Sequence, residues 1–492
     1  MEGAKMSLME KMMKGTIQTN ISRILKLLVL IFVFVAVNSD ASVQKVKDKD
    51  IAIAVENELI ADEAVSAHLI DVGVVDGIVT LAGTVDNLLA KDRATKLART
   101  VIGVRSVVNN IDVKPVKRSD SDLHSDVKSA LLYDPAADEY EIEIGVSDRV
   151  VTLTGNVRSW QEYKLAEQVA KGVVGVKKVN NDLNVIYTKD RSDYEIEQEV
   201  RAKLENDVWI DGKDIDVMVD NGEVTLNGTV GNPYEKHRAK LAAWVAGTDS
   251  VDVRYLEVKP WERNKMSRQQ RYFNVSDTKI KQAVKDALLF DPRTYEFKIE
   301  VEVEDNVVIL IGKVDNLEAK RAAESDAENT VGVVRVKNHI KVRPEKLVAN
   351  GELEERVKKA MIRDPYTEYF DIDVNAINGK VFLEGKVNTS FERIHAENVA
   401  SKVNGVVEVV NLIDYKRKWV WKPDTDIHQD VNQHIFWSPY VDPDDVNVEV
   451  ENGIVTLTGE VNSLRERIKA EENAYQGGAK DVVNKLRIVG EG

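Results

Sequence analysis

A seven-residue motif, V-x-L-x-G-x-V, occurs six times in the chain and constrains its fold more than any other feature. Recurrence of a motif at a regular period is the signature of an array of small modules. The alternation of apolar residues with a period of two is typical of a β-strand and places the valines, leucine and glycine on one face. The motif glycines are Gly83, Gly155, Gly228, Gly312, Gly385 and Gly459.

An amphipathic helix is predicted upstream of each motif. An Ile or Leu stands 32 residues before each glycine, and further apolar residues follow it at four and eight positions, which is one stripe of an α-helix. Proline ends the pattern in four copies, since the residue before a proline disfavours helical geometry. An alternating strand follows, and turns such as Asp76-Gly77 or Asn221-Gly222 predict that it forms a hairpin with the motif strand.

A second helix is predicted after the motif, because residues that favour helix caps follow the strand. Its ninth aligned position is alanine in every copy, and we expect this small residue to contact the motif glycine. A Gly-Val pair ends the helix before a last strand in four copies, whereas Gly247-Thr248 and Gly478-Ala479 predict different helix ends in copies three and six. The alanines are Ala94, Ala166, Ala239, Ala323, Ala396 and Ala470.

The predicted fold class is therefore α+β, with six tandem α-β-β-α-β modules. A right-handed helical crossover makes the third strand parallel to the second, giving a three-stranded mixed sheet that two helices cover on one face. The predicted modules are residues 49–114, 121–186, 194–259, 278–343, 351–416 and 425–490. Because 84 residues separate Gly228 from Gly312, against 72 to 74 elsewhere, residues 260–277 are predicted to be a linker between two three-module halves, and the first site of proteolysis.

These residues resemble the BON domain, which is named from bacterial osmotic-shock and nodulation proteins. The resemblance rests on the motif strand, the helix with its alanine, and the Gly-Val before the last strand. It implies a periplasmic or outer-membrane-associated protein, with roles in envelope integrity, osmotic stress and binding of anionic phospholipid, and it brings no catalytic motif. Two copies are common in that family, so six copies are a departure from its usual pattern.

The N-terminus predicts a secretory signal peptide over residues 1–41. Basic residues precede an apolar run at residues 27–37, and Ser39 and Ala41 provide the small residues of a cleavage site. We expect the mature protein to begin near Ser42, in the periplasm of a Gram-negative-type envelope. The alternative is an uncleaved anchor, although the run is shorter than the roughly 20 residues that a spanning helix needs.

Composition and spacing argue against several classes of function. The net charge of −15 is unfavourable for nucleic-acid binding, which needs a basic surface. The chain has no cysteine, and its seven histidines show no metal-binding spacing. No catalytic constellation or phosphate-binding loop is present, so we predict a non-catalytic protein with no metal and no cofactor.

Basic linkers are the candidate membrane contacts. Cations beside tryptophan are typical of the membrane–water interface, so these segments predict contact with an anionic phospholipid surface. The alternatives are an ordinary linker whose tryptophans pack between modules, and a structural scaffold that self-associates into a rod, ring or filament as a homo-oligomer. The candidate residues are Trp261, Arg263, Lys265, Arg268 and Arg271 in the central linker, and Lys416, Arg417, Lys418, Trp419, Trp421 and Lys422 before the sixth module.

Overall fold

The computed structural model describes residues 46–137, 142–187, 191–259, 275–415 and 419–491. All of the described residues belong to the second of the chain's two units, Lys45–Gly492. The predicted signal peptide at residues 1–41 and its cleavage site lie outside the described residues, as does the central linker from residue 260 to residue 274.

The second unit contains the six predicted modules, each with the order helix, strand, strand, helix, strand. The first helices are Asp48–Ala61, Asp120–Tyr133, Asp193–Asn206, Asp277–Phe290, Asn350–Arg363 and Asp424–Trp437. The first strands are Ile70–Val75, Ile142–Ser147, Ile215–Asp220, Ile299–Glu304, Ile372–Ile377 and Val446–Glu451. The second strands, which carry the motif, are Ile78–Val85, Val150–Val157, Glu223–Val230, Val307–Val314, Lys380–Val387 and Ile454–Val461.

The second helices and third strands complete each module. The second helices are Leu88–Arg99, Trp160–Lys171, Pro233–Ala242, Leu317–Glu328, Ser390–Ser401 and Leu464–Gln476. The third strand is continuous in modules 1, 2 and 5, as Ser106–Val113, Lys178–Val185 and Glu408–Tyr415. It is split in modules 3, 4 and 6, as Ser250–Asp252 with Leu256–Val258, Arg335–Asn338 with Lys341–Val342, and Asp481–Asn484 with Arg487–Ile488.

The sheet topology confirms the predicted fold class. In every module the second strand is central, antiparallel to the first and parallel to the third. In module 1, for example, Val72 pairs with Leu81, and Leu81 pairs with Asn109. The second helix of module 3 ends at Ala242 and is two residues shorter than that of module 1, in line with the different ending predicted for copy three.

The core of each module lies between the two helices and one face of the sheet. Val79, Leu81 and Val85 of the first module are buried, whereas Ile78 on the other face of the same strand is exposed. The first-helix residues at the predicted stripe positions are buried in all six copies, and so are the six alanines of the second helices. The predicted apolar period of each element therefore corresponds to its buried face.

A tight turn joins the first two strands and is held by the start of the first helix. Both central residues of each turn have positive φ, for example Asp76 (φ 50°) and Gly77 (φ 73°), which is the geometry of a type I′ hairpin. The Asp48 carboxylate accepts hydrogen bonds from the N–H groups of Asp76 (2.8 Å) and Gly77 (2.9 Å). Equivalent bonds are accepted by Asp120, Asp193, Asp277, Asn350 and Asp424.

The motif glycine is required by a close contact with backbone. Its expected contact with the alanine of the second helix stays a prediction. Gly385 has φ of 152°, and a Cβ atom there would lie 2.7 Å from the carbonyl oxygen of Asp371. At Gly83 the corresponding distance, to the carbonyl oxygen of Leu69, is 2.0 Å. A side chain at this position would therefore collide with the backbone that leads into the first strand, where no rotamer change relieves the overlap.

The modules also bind one another in pairs. Module 2 pairs with module 5: the N–H of Val174 donates to the carbonyl of Arg363 (2.7 Å), and the N–H of Asn404 donates to the carbonyl of Tyr133 (2.9 Å). Val174 and Asn404 hold the same position in their modules, and Tyr133 and Arg363 are each the last residue of a first helix. Such reciprocity is what a twofold contact between equal partners produces.

Two further pairs use the same backbone groups. Ile102 of module 1 donates to the carbonyl of Trp437 in module 6 (3.3 Å), and Val331 of module 4 donates to that of Asn206 in module 3 (2.9 Å). Each pair joins one of the first three modules to one of the last three. We call modules 1–3 and 4–6 the N-terminal and C-terminal halves.

Within each half the second helices contact one another. Lys171 of module 2 binds Asp92 of module 1 (2.9 Å). The Trp160 ring stacks on Trp244 of module 3, with ring centroids 4.0 Å apart. In the C-terminal half, Arg321 of module 4 binds Glu397 of module 5, and Arg465 of module 6 binds Glu328 of module 4. Modules of this chain therefore contact more than one other module, and they do not form a linear string.

Candidate functional site

The segment before module 6 divides its two tryptophans between different environments. Trp419 packs on module 6: its indole N–H donates to the carbonyl of Gly478 (3.1 Å), and its ring lies against Gly453 and Lys480. Two residues later, Trp421 is 72% exposed, and Val420 beside it is 76% exposed. Trp419 is therefore part of the module, while Val420 and Trp421 present apolar surface to solvent.

The cations of this segment also differ. The ammonium of Lys422 pairs with the carboxylate of Asp430 in the first helix of module 6. Lys416, Arg417 and Lys418 lie outside the described residues, and so do all five candidates of the central linker, Trp261, Arg263, Lys265, Arg268 and Arg271. In this segment the structure therefore describes four consecutive residues, which are Trp419, Val420, Trp421 and Lys422.

A second exposed apolar position recurs at the ends of the first helices. It directly follows the last stripe residue, so that buried Leu131 is followed by exposed Leu132 and buried Leu288 by exposed Leu289. The exposed residues at this position are Ile60, Leu132, Leu289, Ile362 and Phe436, and only module 3 has a charged residue, Glu205.

In modules 2, 4 and 5 a lysine stands four residues before the exposed apolar residue. The pairs are Lys128 with Leu132, Lys285 with Leu289, and Lys358 with Ile362. Residues four apart lie on the same face of a helix, so each module presents a cation beside an apolar side chain. These lysine–apolar pairs are present in the sequence, but they are recognised only when the position after the buried stripe is compared across the six copies.

An ion pair between the two helices recurs in the odd-numbered modules. The aspartate that follows the first helix binds a nitrogen-bearing side chain of the second helix: Asp62 binds Arg93 (2.7 Å), Asp207 binds Arg238 (2.6 Å) and Asp364 binds His395 (2.8 Å). The two residues are 31 positions apart in each case, and sequence reasoning did not identify this pairing. The contact closes one end of the module and is structural.

The described residues show neither a membrane-spanning helix nor a cluster of metal ligands. No helix there is long and apolar enough to cross a membrane. No group of three or more His, Asp or Glu side chains in the same residues could hold a metal ion. Of the histidines, His237 has its pKa lowered to about 4 by burial and by the charges of Arg99, Lys164 and Lys240.

Comparison with known families agrees with this architecture. The family model of the BON domain matches residues 47–115, 119–187, 192–260, 276–344, 349–417 and 423–490, which together are more than half of the chain. The chain belongs to the BON domain family. The resemblance inferred from the motif strand, the alanine and the Gly-Val pair is confirmed.

Three curated relatives contain BON domains related to those of this chain. Osmotically-inducible protein Y of Escherichia coli is 32% identical over 140 residues, which cover 27% of this chain and 70% of the relative. The outer membrane lipoprotein DolP of Haemophilus influenzae is 32% identical over 145 residues, covering 25% and 75%. A 21 kDa hemolysin of Actinobacillus pleuropneumoniae is 28% identical over 124 residues, covering 24% and 63%.

Two of these relatives are named for osmotic induction or for the outer membrane, and the third is named as a hemolysin. Each match spans about a quarter of the six-module chain. Among solved structures, the C-terminal domain of CdsD, a structural protein of the type III secretion system of Chlamydia trachomatis, matches at 14% identity, covering 44% of this chain and 99% of that domain. Its TM-score is 0.12, which is too low to inform the fold or function of this chain.

Proposed function

We propose that this six-module BON protein is a non-catalytic protein of the periplasm that binds the surface of an anionic phospholipid membrane. The predicted signal peptide and the names of the relatives support this location in a Gram-negative-type envelope. In this proposal, the protein acts in envelope maintenance or in the response to osmotic stress.

The observation that carries the proposal is the exposure of Val420 and Trp421, which follow the last of three consecutive cations by two and three residues. An indole ring favours the headgroup region of a bilayer, and each cation close to anionic lipid contributes about 1 kcal/mol. Because Lys422 is paired with Asp430, Lys416, Arg417 and Lys418 contribute most, about 3 kcal/mol before salt screening. The net charge of −15 repels the rest of the chain, so the contact is local and sensitive to salt.

The alternative of a self-assembling scaffold has less support. The backbone bonds that pair modules 2 and 5, 1 and 6, and 3 and 4 form within one chain, so these contacts already have partners without a second copy. Nucleic acid is an unsuitable partner for so acidic a protein.

Co-sedimentation with vesicles tests the proposal. Full-length protein should bind vesicles of phosphatidylglycerol and phosphatidylcholine at low salt, and should not bind phosphatidylcholine alone. The triple variant Lys416→Gln, Arg417→Gln, Lys418→Gln should weaken binding by about a hundredfold, since about 3 kcal/mol is lost. The matched control Lys177→Gln, Lys178→Gln, Lys341→Gln removes the same charge from exposed positions in or next to strands and should bind like the wild type.

Two outcomes would contradict the proposal in different ways. If the wild type ignores phosphatidylglycerol vesicles at low salt, lipid binding is wrong and the scaffold becomes the better explanation. If binding occurs but the triple variant and its control behave alike, the contact lies elsewhere. The triple variant Leu132→Ser, Leu289→Ser, Ile362→Ser then decides whether the first-helix ends make it.

A further inference from the structure

Modules 1 and 6 touch at one equivalent position of their first helices. Glu58 and His434 each stand seven residues after the first stripe residue of their helix. The Nδ1 atom of His434 lies 3.0 Å from the Oε1 atom of Glu58, and both side chains are largely buried. A residue that contacts its own counterpart lies close to the local twofold axis of the pair, so we call this place the crossing position. Its six residues are Glu58, Ala130, Lys203, Ala287, Ala360 and His434.

The other two pairs each have a cation over an aromatic ring of the opposite half. In the pair of modules 3 and 4, the ammonium of Lys203 lies 4.4 Å from the centroid of the Phe290 ring. In the pair of modules 5 and 2, the guanidinium carbon of Arg356 lies 4.7 Å from the centroid of the Tyr133 ring. Both rings belong to the last residue of a first helix. A cation at this distance is attracted by the ring face, so every pair has one chemically matched contact.

The arrangement of the modules offers three ways to join the same two halves. The second helices contact one another in the order 2, 1, 3 in the N-terminal half, and the contact of Trp244 with Trp160 leads from module 3 back to module 2. The C-terminal half repeats this order as 5, 4, 6. Turning one half by one module would therefore pair module 1 with module 5 or module 4 in place of module 6. Backbone bonds alone do not distinguish these three rotational registers, because every module offers the same backbone groups.

The crossing position does distinguish the registers. In the observed register the Glu58 carboxylate meets the His434 imidazole. In either alternative register it would meet an alanine, Ala360 of module 5 or Ala287 of module 4. A largely buried carboxylate would then lose its hydrogen bond, and an unsatisfied buried charged group is costly.

The two cations favour the observed register for the same reason. Arg356 would meet Ala61 if module 5 were paired with module 1, and Asn206 if it were paired with module 3, so in both cases it would lose its aromatic partner. Lys203 would come beside Arg363 if module 3 were paired with module 5, and beside the imidazole at the crossing position of module 6 in the remaining register. All three matched contacts form together in the observed register.

We propose that these side chains select the rotational register in which the N-terminal half binds the C-terminal half, and that the contact of Glu58 with His434 is the main determinant. Because both residues lie at the twofold axis, exchanging them should preserve the contact, whereas making them alike should not. The two halves thus recognise each other in one orientation, although all six modules share one fold.

Amide hydrogen exchange of full-length protein tests the proposed determinant. The N–H of Ile102 donates to the carbonyl of Trp437 when modules 1 and 6 are paired. His434→Glu places two carboxylates at the crossing position and should lower protection of the Ile102 amide by about tenfold to a hundredfold, the effect of losing a hydrogen bond to a charged group. Adding Glu58→His restores a carboxylate–imidazole pair in reverse order and should recover most of the protection.

His428→Glu is the matched control, because it introduces the same carboxylate at an exposed position of the same helix. It should leave protection of the Ile102 amide at the wild-type value. If His434→Glu fails to fold, Glu58→Ala serves as the second variant, since it removes the carboxylate without repulsion and should also lower that protection. A folded exchange variant that remains as unprotected at Ile102 as His434→Glu would overturn the proposal.

Cross-linking reads the register itself, because the chain contains no cysteine. Ala130→Cys with Ala360→Cys places thiols at the crossing positions of modules 2 and 5, and a bismaleimide reagent should join them within one chain. Ala130→Cys with Ala287→Cys would be joined in the register that pairs module 2 with module 4, and its yield should be low. Adding His434→Glu should lower the first yield and raise the second. Equal yields for the two cysteine pairs without that change, or yields that it leaves unaltered, would show that these side chains do not select the register.

Discussion

Leu131 and Leu132 are neighbours at the end of one helix, and they belong to different regions of the molecule. Leu131 is 5% exposed and completes the apolar stripe in the core of module 2, whereas Leu132 is 52% exposed. The same contrast appears at Leu288 and Leu289, and at Met361 and Ile362. In each pair, one apolar side chain is buried in the core of the module. Its neighbour has similar chemistry but is exposed, and so it is available for other contacts.

Trp419 and Trp421 repeat this contrast in the segment before module 6. The Trp419 indole is bonded to the Gly478 carbonyl and packed on the module, while Trp421 is exposed. Apolar character by itself therefore does not separate core from binding surface. In the helices, the period of the apolar stripe separates them, since Leu132 lies outside the stripe. In the irregular segment before module 6, the surface of that module does so, because it accommodates Trp419.

Truncating the two leucines should break this comparison most clearly. Leu131→Ala deletes buried methyl groups and should cost about 2–5 kcal/mol in the free energy of unfolding of module 2. Leu132→Ala changes only exposed surface, and we expect an effect within about 0.5 kcal/mol. Calorimetric melts of the full chain measure both variants, and equal losses would show that Leu132 is also part of a packed contact.

Two glycines of module 5 provide the next largest contrast. Gly385→Val should destabilise the module by about 1–3 kcal/mol, because the new Cβ atom would overlap the Asp371 carbonyl. Gly351→Val is the matched control, since a Cβ atom at Gly351, near the start of the first helix, would meet nothing within 4 Å. Urea unfolding compares the two, and a Gly385→Val midpoint as high as that of Gly351→Val would contradict the backbone contact.

The sequence was sufficient to predict the order of helices and strands, the hairpin and the parallel third strand, because each depends on a local period or turn. The role of Asp48 could also have been found, since Asp or Asn stands three residues before the first stripe position in all six copies. Its partners are turn N–H groups 28 and 29 residues away, so only the folded hairpin shows what it binds.

The pairing of modules could not be predicted in the same way. Its bonds join backbone atoms, such as the N–H of Asn404 and the carbonyl of Tyr133, and every non-proline residue offers the same groups. The obstacle at the motif glycine is also backbone, a carbonyl that no pattern of side chains in the sequence marks. Trp419 and Trp421 were indistinguishable for a related reason, since only the folded surface of module 6 shows which ring it accommodates.

The smallest expected effect comes from the comparison of a buried histidine, His237, with an exposed one, His68. Burial and the nearby charges of Arg99 and Lys164 lower the pKa of His237 to about 4, whereas His68 is exposed. A folded-state pKa below the ordinary value of about 6.5 means that stability is present above pH 6.5 and is lost as the pH falls toward 4. His237→Gln should therefore lose less stability than the wild type between pH 7 and pH 5, with up to about one proton fewer taken up on unfolding. His68→Gln should keep the wild-type acid dependence in the same melts. A His237→Gln variant that keeps the wild-type loss of stability in acid would contradict the lowered pKa of the imidazole.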